Sequence, residues 1–328
     1  MTIEVGVKTP VLAIVAPARA CVKGEGFSIV DHDRMDKAVS GLEALGWKVV
    51  EAPNTRRIDR RFAGTDQERI AGLEAMFGDP NVDVVMALRG GYGTARLLPD
   101  IDWELMARSE AVLVGLSDIT ALSLGLLTKT GRGSWQGPVA TWFSTPNETR
   151  DRRFMQAMRN DRFEFECPVQ GDECRVEGLL WGGNLTILTS LIGTPYFPRF
   201  EDGILLIEDV AEPAWRIERH LNQLIDAGVM ARQKAILVGD MRGSETACGS
   251  GDGAFGLADA LDYIRRKTGL PIVTGLPFGH IPDSATLPVG VRAEVSSIDG
   301  TLCIVSEDVP LPACCPGMEG SRHLLWWQ

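Results

Sequence analysis

The chain has 328 residues, 45% of them hydrophobic and 23% charged, with a formal net charge of −11. That length supports a large core and favours two domains over one, and the composition is that of a folded chain, not a disordered one. The acidic balance, with no basic stripe, excludes nucleic-acid binding through bulk electrostatics, which needs clustered Lys and Arg.

The densest basic run, Arg56, Arg57, Arg60 and Arg61, is accompanied by Asp59 and Asp66 and reads as a solvated loop or helix start. The first ten residues include Glu4 and Lys8 and lack an apolar core, so no targeting signal is expected. No apolar run approaches the roughly 18 residues that span a bilayer, and a cytoplasmic protein without membrane partners is expected. The cysteines, Cys21, Cys167, Cys174, Cys248, Cys303, Cys314 and Cys315, are odd in number and irregularly spaced. They suit free thiols in a reducing compartment and offer no metal-site spacing.

In chain order, Val11–Val15 reads as a buried strand. A helix follows over 35–45, with Met35, Val39, Leu42 and Leu45 at helical spacing and Gly46 as its stop. Strand 47–50, helix 67–77 before Gly78, strand 82–88, strand 111–114 and helix 119–128 continue the alternation. Short apolar strands between amphipathic helices imply βαβ units and a parallel sheet. The character changes near 150, where a polar stretch opens a helix to about 158. Strands follow at 163–166 and 175–180, with a turn at 170–172. Strand 203–208, helix 213–226, strand 235–239, helix 254–266, strand 271–274 and strands 290–296 and 301–306 complete the pattern. These boundaries give an N-terminal domain over 1–150, a C-terminal domain over 165–308 and a tail over 309–328. Trp326 and Trp327 at the end of that tail are expected to dock on a surface groove.

Four segments carry chemistry. In Val112-Leu-Val-Gly-Leu-Ser-Asp-Ile-Thr120, a strand ends, Gly115 permits a tight turn and Ser117 sits on the turn before a helix. This is the setting of a nucleophile elbow, though Ile119 stands where the pattern GxSxG has its last Gly; an N-cap serine fits equally well. Leu88-Arg-Gly-Gly-Tyr-Gly-Thr-Ala95 is a Gly-rich loop after a strand, able to bring backbone N–H groups to an oxyanion or to serve as a plain turn. Gly90 or Gly91 paired with Asp118 would supply two such amides. Gly203-Ile-Leu-Leu-Ile-Glu-Asp-Val210 ends a buried strand in two carboxylates, either a histidine's partner or a solvated strand end. Among the histidines, only His280 stands on a Gly/Pro-punctuated loop directly after an apolar strand. The order Ser, Glu, His is one that α/β hydrolases also use. The first βα turn, Ala16-Pro-Ala-Arg19, lacks the glycines of a dinucleotide site, and no cofactor is expected.

Taken together, these segments resemble the LD-carboxypeptidase family of serine peptidases. The resemblance rests on Ala13–Pro17, Arg89-Gly-Gly-Tyr-Gly93, Gly115-Leu-Ser-Asp118, Gly182-Gly-Asn-Leu185 with Gly193-Thr-Pro195, Leu206-Ile-Glu-Asp209 with Arg219, and Gly275-Leu-Pro-Phe-Gly-His280, in order over about 11–295. It implies an α/β fold in which a Rossmann-like parallel-sheet domain and a C-terminal α/β domain with its own sheet hold the active site between them. It implies a triad of Ser117, Glu208 and His280, with oxyanion amides at Gly91 and Asp118. The reaction it implies is removal of the terminal D-alanine from a murein tetrapeptide by a homodimer, with no metal. Because such a substrate is anionic, a local cation is expected at its carboxylate, with Arg89 and Arg219 as candidates beside Gly90. A branch of the family resembling the microcin C self-immunity peptidase cleaves peptidyl- or aminoacyl-nucleotides. That reading needs an aromatic platform that stacks on a nucleobase; Trp181 beside Gly182-Gly183 could serve, though core packing suits it better, and the span from Ser117 to Glu208 is short for it. A non-catalytic two-lobe binding protein is the remaining alternative, and it would not require the three residues to converge.

Overall fold

The computed structural model describes residues 9–24, 26, 28–244 and 255–312. Cys248, His323 and the tail residues from 313 onward, including Cys314, Cys315, Trp326 and Trp327, lie outside them.

The chain opens with β1 (Val11–Val15), fully buried, and a short ribbon of β2 (Val22–Lys23) and β3 (Ile29–Val30). Helix α1 (His32–Ala44) starts earlier than its apolar spacing suggests, because the Asp31 side chain caps it by accepting from the Arg34 amide. After β4 (Lys48–Glu51), α2 (Asp66–Gly78) is opened by a capping box between Thr65 and Glu68. Then come β5 (Val84–Ala87), α3 (Trp103–Arg108), β6 (Val112–Gly115), α4 (Thr120–Thr130), β7 (Ser134–Gln136) and α5 (Glu148–Arg159). The second half contains β8 (Phe163–Pro168), β9 (Gln170–Gly171), β10 (Cys174–Asn184), α6 (Leu185–Ser190), β11 (Gly203–Val210), α7 (Ala214–Asp226), β12 (Gln233–Arg242), α8 (Leu257–Thr268), β13 (Ile272–Thr274), β14 (Leu287–Val289), β15 (Val291–Ile298) and β16 (Thr301–Ser306).

Two sheets result. The first has the order β14-β7-β6-β5-β1-β4 and is parallel from β7 to β4. Its edge strand β14 comes from the C-terminal half of the chain and pairs antiparallel with β7. The second sheet, β8-β16-β15-β10-β11-β12-β13-β9, is parallel from β10 to β13 and antiparallel on both flanks. The expected α/β class, with a parallel N-terminal sheet and a second sheet beyond it, is the observed one.

The differences lie in short or glycine-bearing pieces. The turn expected at 170–172 contains β9, which pairs with β13. Strand β10 runs on past Leu180 to Asn184, because Gly182 and Gly183 adopt φ of 129° and 140° and keep the strand close to its neighbours. A Cβ at Gly182 would meet the Leu206 carbonyl oxygen at 1.9 Å, which only glycine avoids. The basic run at 56–61 is a largely solvated loop, as expected, with Arg57, Arg60 and Arg61 exposed; Arg56 pairs with Glu51 and Asp36, and Arg57 with Glu68.

The four described cysteines, Cys21, Cys167, Cys174 and Cys303, are free. Burial pushes the Cys167 thiol up to about 11. Among the described residues, no helix is long and apolar enough to cross a membrane, and no group of His, Cys, Asp and Glu is placed to hold a metal ion.

Candidate active site

Ser117 is built by a sharp exit from β6. Leu116 is still extended, Ser117 turns to φ 68°, and a short 3-10 turn over 117–119 leads into α4. A non-glycine residue in the left-handed region costs of order 1–3 kcal/mol and persists only where its surroundings fix it. Those surroundings are visible. A Cβ on Gly115 would lie 2.6 Å from Ile119 Cγ2, so Ile119 packs over the glycine that opens the turn. This explains why the last position of the elbow pattern is apolar: here the small residue and the large one share one contact.

The Gly-rich loop after β5 lies against this turn. A Cβ on Gly90 would stand 2.8 Å from Ser117 Cβ and 3.0 Å from its Oγ. Asp118, 1% exposed, fastens the two segments by accepting from the Thr94 amide at 2.9 Å and the Thr94 hydroxyl at 2.7 Å. Burial pushes its carboxyl up, against the pull of those donors. Sequence reasoning assigned Asp118 only a backbone amide; its side chain is a strut of the loop. Gly91, at φ 126°, is backed by the Arg19 side chain.

The second sheet supplies the acid and the imidazole. Glu208 and Asp209 lie near the end of β11, both buried, but their partners differ. Asp209 accepts from the Thr186 amide and hydroxyl and from Asn184. Glu208 Oε2 meets His280 Nδ1 at 2.7 Å. Gly279, at φ 123°, allows the approach, since a Cβ there would stand 3.1 Å from both Glu208 Cβ and Oε2.

The two groups pull on the shared proton in opposite senses. Burial pushes the Glu208 carboxyl up, and the His280 hydrogen bond opposes it. Burial lowers the imidazole of His280, but the Glu208 hydrogen bond and charge, with Asp209 and Asp240 behind, outweigh it and leave it raised. Two donors, Asn184 Nδ2 at 3.1 Å and His280 Nδ1, face the Glu208 oxygens, which favours the ionised carboxylate and a raised imidazole. Glu208 accepting from Nδ1 leaves Nε2 as the basic nitrogen of the neutral ring.

Asn184 is the residue whose role the sequence did not disclose. Its amide N–H donates to Thr120 Oγ1 at 2.9 Å, one turn beyond Ser117. Its side chain donates to Glu208 and to Asp209 at 3.0 Å and caps α6 by accepting from the Ile187 amide. A continuous chain of hydrogen bonds therefore runs from the first turn of α4 through Asn184 and Glu208 to His280. The Gly182-Gly-Asn184 motif was the available signal. Gly183 makes the approach possible, since a Cβ there would stand 2.5 Å from Thr120 Oγ1.

Two candidates are placed elsewhere. Trp181 is core: it is 1% exposed, donates from Nε1 to Gln233 at 2.8 Å and meets Phe197 and Phe200 edge-on. It offers no face to a ligand, so core packing, the better-suited of its two readings, is the observed one and the binding role is corrected. Arg219 is exposed on α7 with its guanidinium over the Trp215 ring, and no described contact joins it to the Glu208–His280 pair.

Comparison with known proteins agrees with this architecture. A model of the LD-carboxypeptidase N-terminal domain matches residues 12–137, and one of the C-terminal domain matches 177–295. The murein tetrapeptide carboxypeptidase of Pseudomonas aeruginosa is 34% identical over 298 residues, 86% of this chain and 92% of its own. The crystal structure of muramoyltetrapeptide carboxypeptidase from Oxalobacter formigenes superposes with a TM-score of 0.81 at 34% identity, covering 91% of this chain and 99% of that one. A microcin self-immunity protein of Escherichia coli is 24% identical over 315 residues, 85% of this chain and 90% of its own. Fold and relatives together define a serine-type carboxypeptidase built on two α/β sheets. The chain belongs to the LD-carboxypeptidase family.

Proposed function

We propose that this enzyme removes the terminal D-alanine from a murein tetrapeptide, cutting the diaminopimelate–D-Ala bond in cell-wall recycling. Ser117 is the nucleophile, His280 the general base and Glu208 the acid that holds it. In this reading the nucleophile comes from the unit spanning 1–150 and the acid and base from the unit spanning 165–308. The observation that carries it is the 2.7 Å contact between buried Glu208 and His280, tied through Asn184 to the helix that begins at the Ser117 turn.

The chemistry follows. His280 Nε2 takes the Ser117 proton as Oγ attacks the scissile carbonyl carbon. The same proton then passes to the departing D-alanine nitrogen as the C–N bond breaks. Glu208 stabilises the imidazolium formed between those steps. Water, deprotonated by His280, releases the acyl group and restores Ser117. The oxyanion is held by the amides of Gly91 and Asp118, on the two segments that Asp118 and Thr94 join; one such donor is worth about 3–4 kcal/mol of barrier. Among the named cations, Arg89 stands beside Gly90 and is the better candidate for the substrate carboxylate.

A homodimer belongs to this proposal on the family resemblance, and a cytoplasmic setting on the sequence expectation; light scattering of the purified protein tests the former. Cleavage of a nucleotide conjugate is the second reading, supported by the likeness to the self-immunity protein. It lacks its aromatic platform, because Trp181 is buried.

The test is D-alanine release from purified murein tetrapeptide by wild type and Ser117→Ala. Release by wild type alone is expected. Equal release by both would remove Ser117 from its role, and release by neither would turn attention to the nucleotide conjugate.

A further inference from the structure

Strand β7 carries a residue that the catalytic proposal leaves idle. Side chains alternate along a strand, so Ser134 and Gln136 share the face toward α4. Ser134 uses its hydroxyl there, in contact with the hydroxyl of Ser123. Gln136 stands one turn nearer the start of that helix, beside its first residue, Thr120. Both are wholly buried, yet they are not bonded to one another. Among the described residues, Oε1 and Nε2 of Gln136 have no hydrogen-bond partner. Thr120 Oγ1 accepts from the Asn184 amide, and its own proton goes to no acceptor among the described residues. The two groups are neighbours: the position a Cβ would take on Gly183 is 2.5 Å from Thr120 Oγ1 and 3.0 Å from Gln136 Nε2.

A buried amide with both ends unpaired is destabilising, and an apolar side chain of the same length would remove the penalty. Such a breach is expected where function needs it, and the place of Gln136 supplies the need. It lies at the joint between the two sheets. On one side it pairs with Gly115, which opens the Ser117 turn, and on the other with Leu287 of β14. Strand β14 continues the loop that carries His280. Through Thr120 the same residue borders Asn184, and so Glu208 and His280. Nucleophile and base are thus both tied to this joint, yet they are not joined to each other. Among the described residues, the His280 ring makes its one hydrogen bond to Glu208, and none reaches Ser117 Oγ. Catalytic hydrogen bonds often tighten only in the substrate complex, when the parts of a site close on it.

We propose that Gln136 is a positioning residue, a latch whose amide oxygen takes the Thr120 hydroxyl proton as the two sheets close on substrate, and that this closure draws His280 onto Ser117. The inference rests on the proposed triad. The open state is destabilised by an unpaired amide and an undirected hydroxyl, and the closed state is not, so the difference favours closing. The bond also orients Thr120: its proton points to Gln136 and a lone pair to the Asn184 amide. The polar chain then runs unbroken from β7 through Thr120, Asn184 and Glu208 to the imidazole, where each bond strengthens the next. Because the amide works only when the site closes, its loss should slow turnover while making the resting protein more stable.

The test is Gln136→Met, which keeps the length of the side chain and loses both polar ends. Its thermal midpoint should rise by about 2–4 °C, while kcat for D-alanine release from murein tetrapeptide falls about 5- to 30-fold, the size of one hydrogen bond. Thr120→Val breaks the other half of the latch, so adding Gln136→Met to it should change kcat by less than about twofold. Labelling of Ser117 by a fluorophosphonate needs the imidazole but not the peptide, and in Gln136→Met it should slow by the same factor as kcat. Unchanged turnover and labelling in Gln136→Met overturn the latch, as does a lowered midpoint, which would make the amide an ordinary structural group. Losses that multiply in the double variant overturn it too. A wild type that is labelled at Ser117 but releases no D-alanine overturns the murein reaction and leaves the latch to be judged on labelling rates. A wild type labelled no faster than His280→Ala overturns the triad, and the latch with it.

Discussion

The two halves of the candidate site are made of different materials. On the first sheet, the Ser117 turn is shaped by backbone: a strained φ of 68°, Gly115 under Ile119, and Gly90 in contact with the serine. On the second, position is set by buried side chains: Glu208 between Asn184 and His280, and Asp209 between Asn184 and Thr186. A site built from backbone fails when a methyl group is added. A site built from buried polar groups fails when one partner is removed, because the others are left desolvated. The contrast makes each half separately breakable.

The largest effect falls on the reacting atom. Ser117→Ala should lower kcat on the order of 10⁵- to 10⁶-fold, measured as D-alanine release, with the denaturation midpoint little changed. Glu208→Gln comes next, at about 10⁴-fold in kcat, because an amide holds the imidazole in the wrong tautomer and cannot stabilise its cation. Its pH profile separates orientation from charge. His280 is raised above the ordinary imidazole value of 6.5 chiefly by Glu208, despite burial. The base must be neutral to act, so the acidic limb of wild-type kcat/KM should lie above 6.5 and move to lower pH in Glu208→Gln. An unmoved limb would detach His280 from Glu208 in the working enzyme.

How much of this the sequence discloses follows the same division. The turn around Ser117 and the loop at 89–93 are local, so a strand, a glycine and a helix start in succession reveal them. Most of the longer strands and helices are legible from apolar period, but β10 is legible only as far as Leu180. The pairing of Glu208 with His280 is 72 residues apart and had to be borrowed from family resemblance. Asn184 lies in a Gly-Gly-Asn stretch that carries no local sign of its role; the register of β10 against β11, which sets Asn184 beside Glu208, gives it work. Strands β7 and β14 are three residues each and gain their identity by pairing, β7 between β6 and β14 and β14 with β7. Trp181 beside two glycines has the look of a loop aromatic, yet it sits on the same continuous strand, facing Phe197 and Phe200.

Smaller effects sharpen the contrast. Gly90→Ala adds a methyl 2.8 Å from Ser117 Cβ without requiring a left-handed φ. It should cost about 100-fold in kcat by displacing the nucleophile, as misplacements near 1 Å do, with little loss of stability. Asn184→Ala should do the reverse. It removes a helix cap, worth about 1 kcal/mol, and strips a donor from two buried carboxylates, worth about 1–3 kcal/mol each. Urea denaturation should show the loss, together with reduced activity as Glu208 drifts.

The least effect is expected at Trp181, and it decides between substrate readings. Trp181→Phe loses the hydrogen bond to Gln233 Oε1 and part of the ring volume in contact with Phe197 and Phe200. An unpartnered buried amide oxygen on Gln233 and a small cavity should together cost about 1–3 kcal/mol of stability. KM for the tetrapeptide should not change, because the indole touches only the core. A KM that rises while the denaturation midpoint holds would mean that the indole reaches substrate in the working enzyme, and would return a nucleobase-stacking role to consideration.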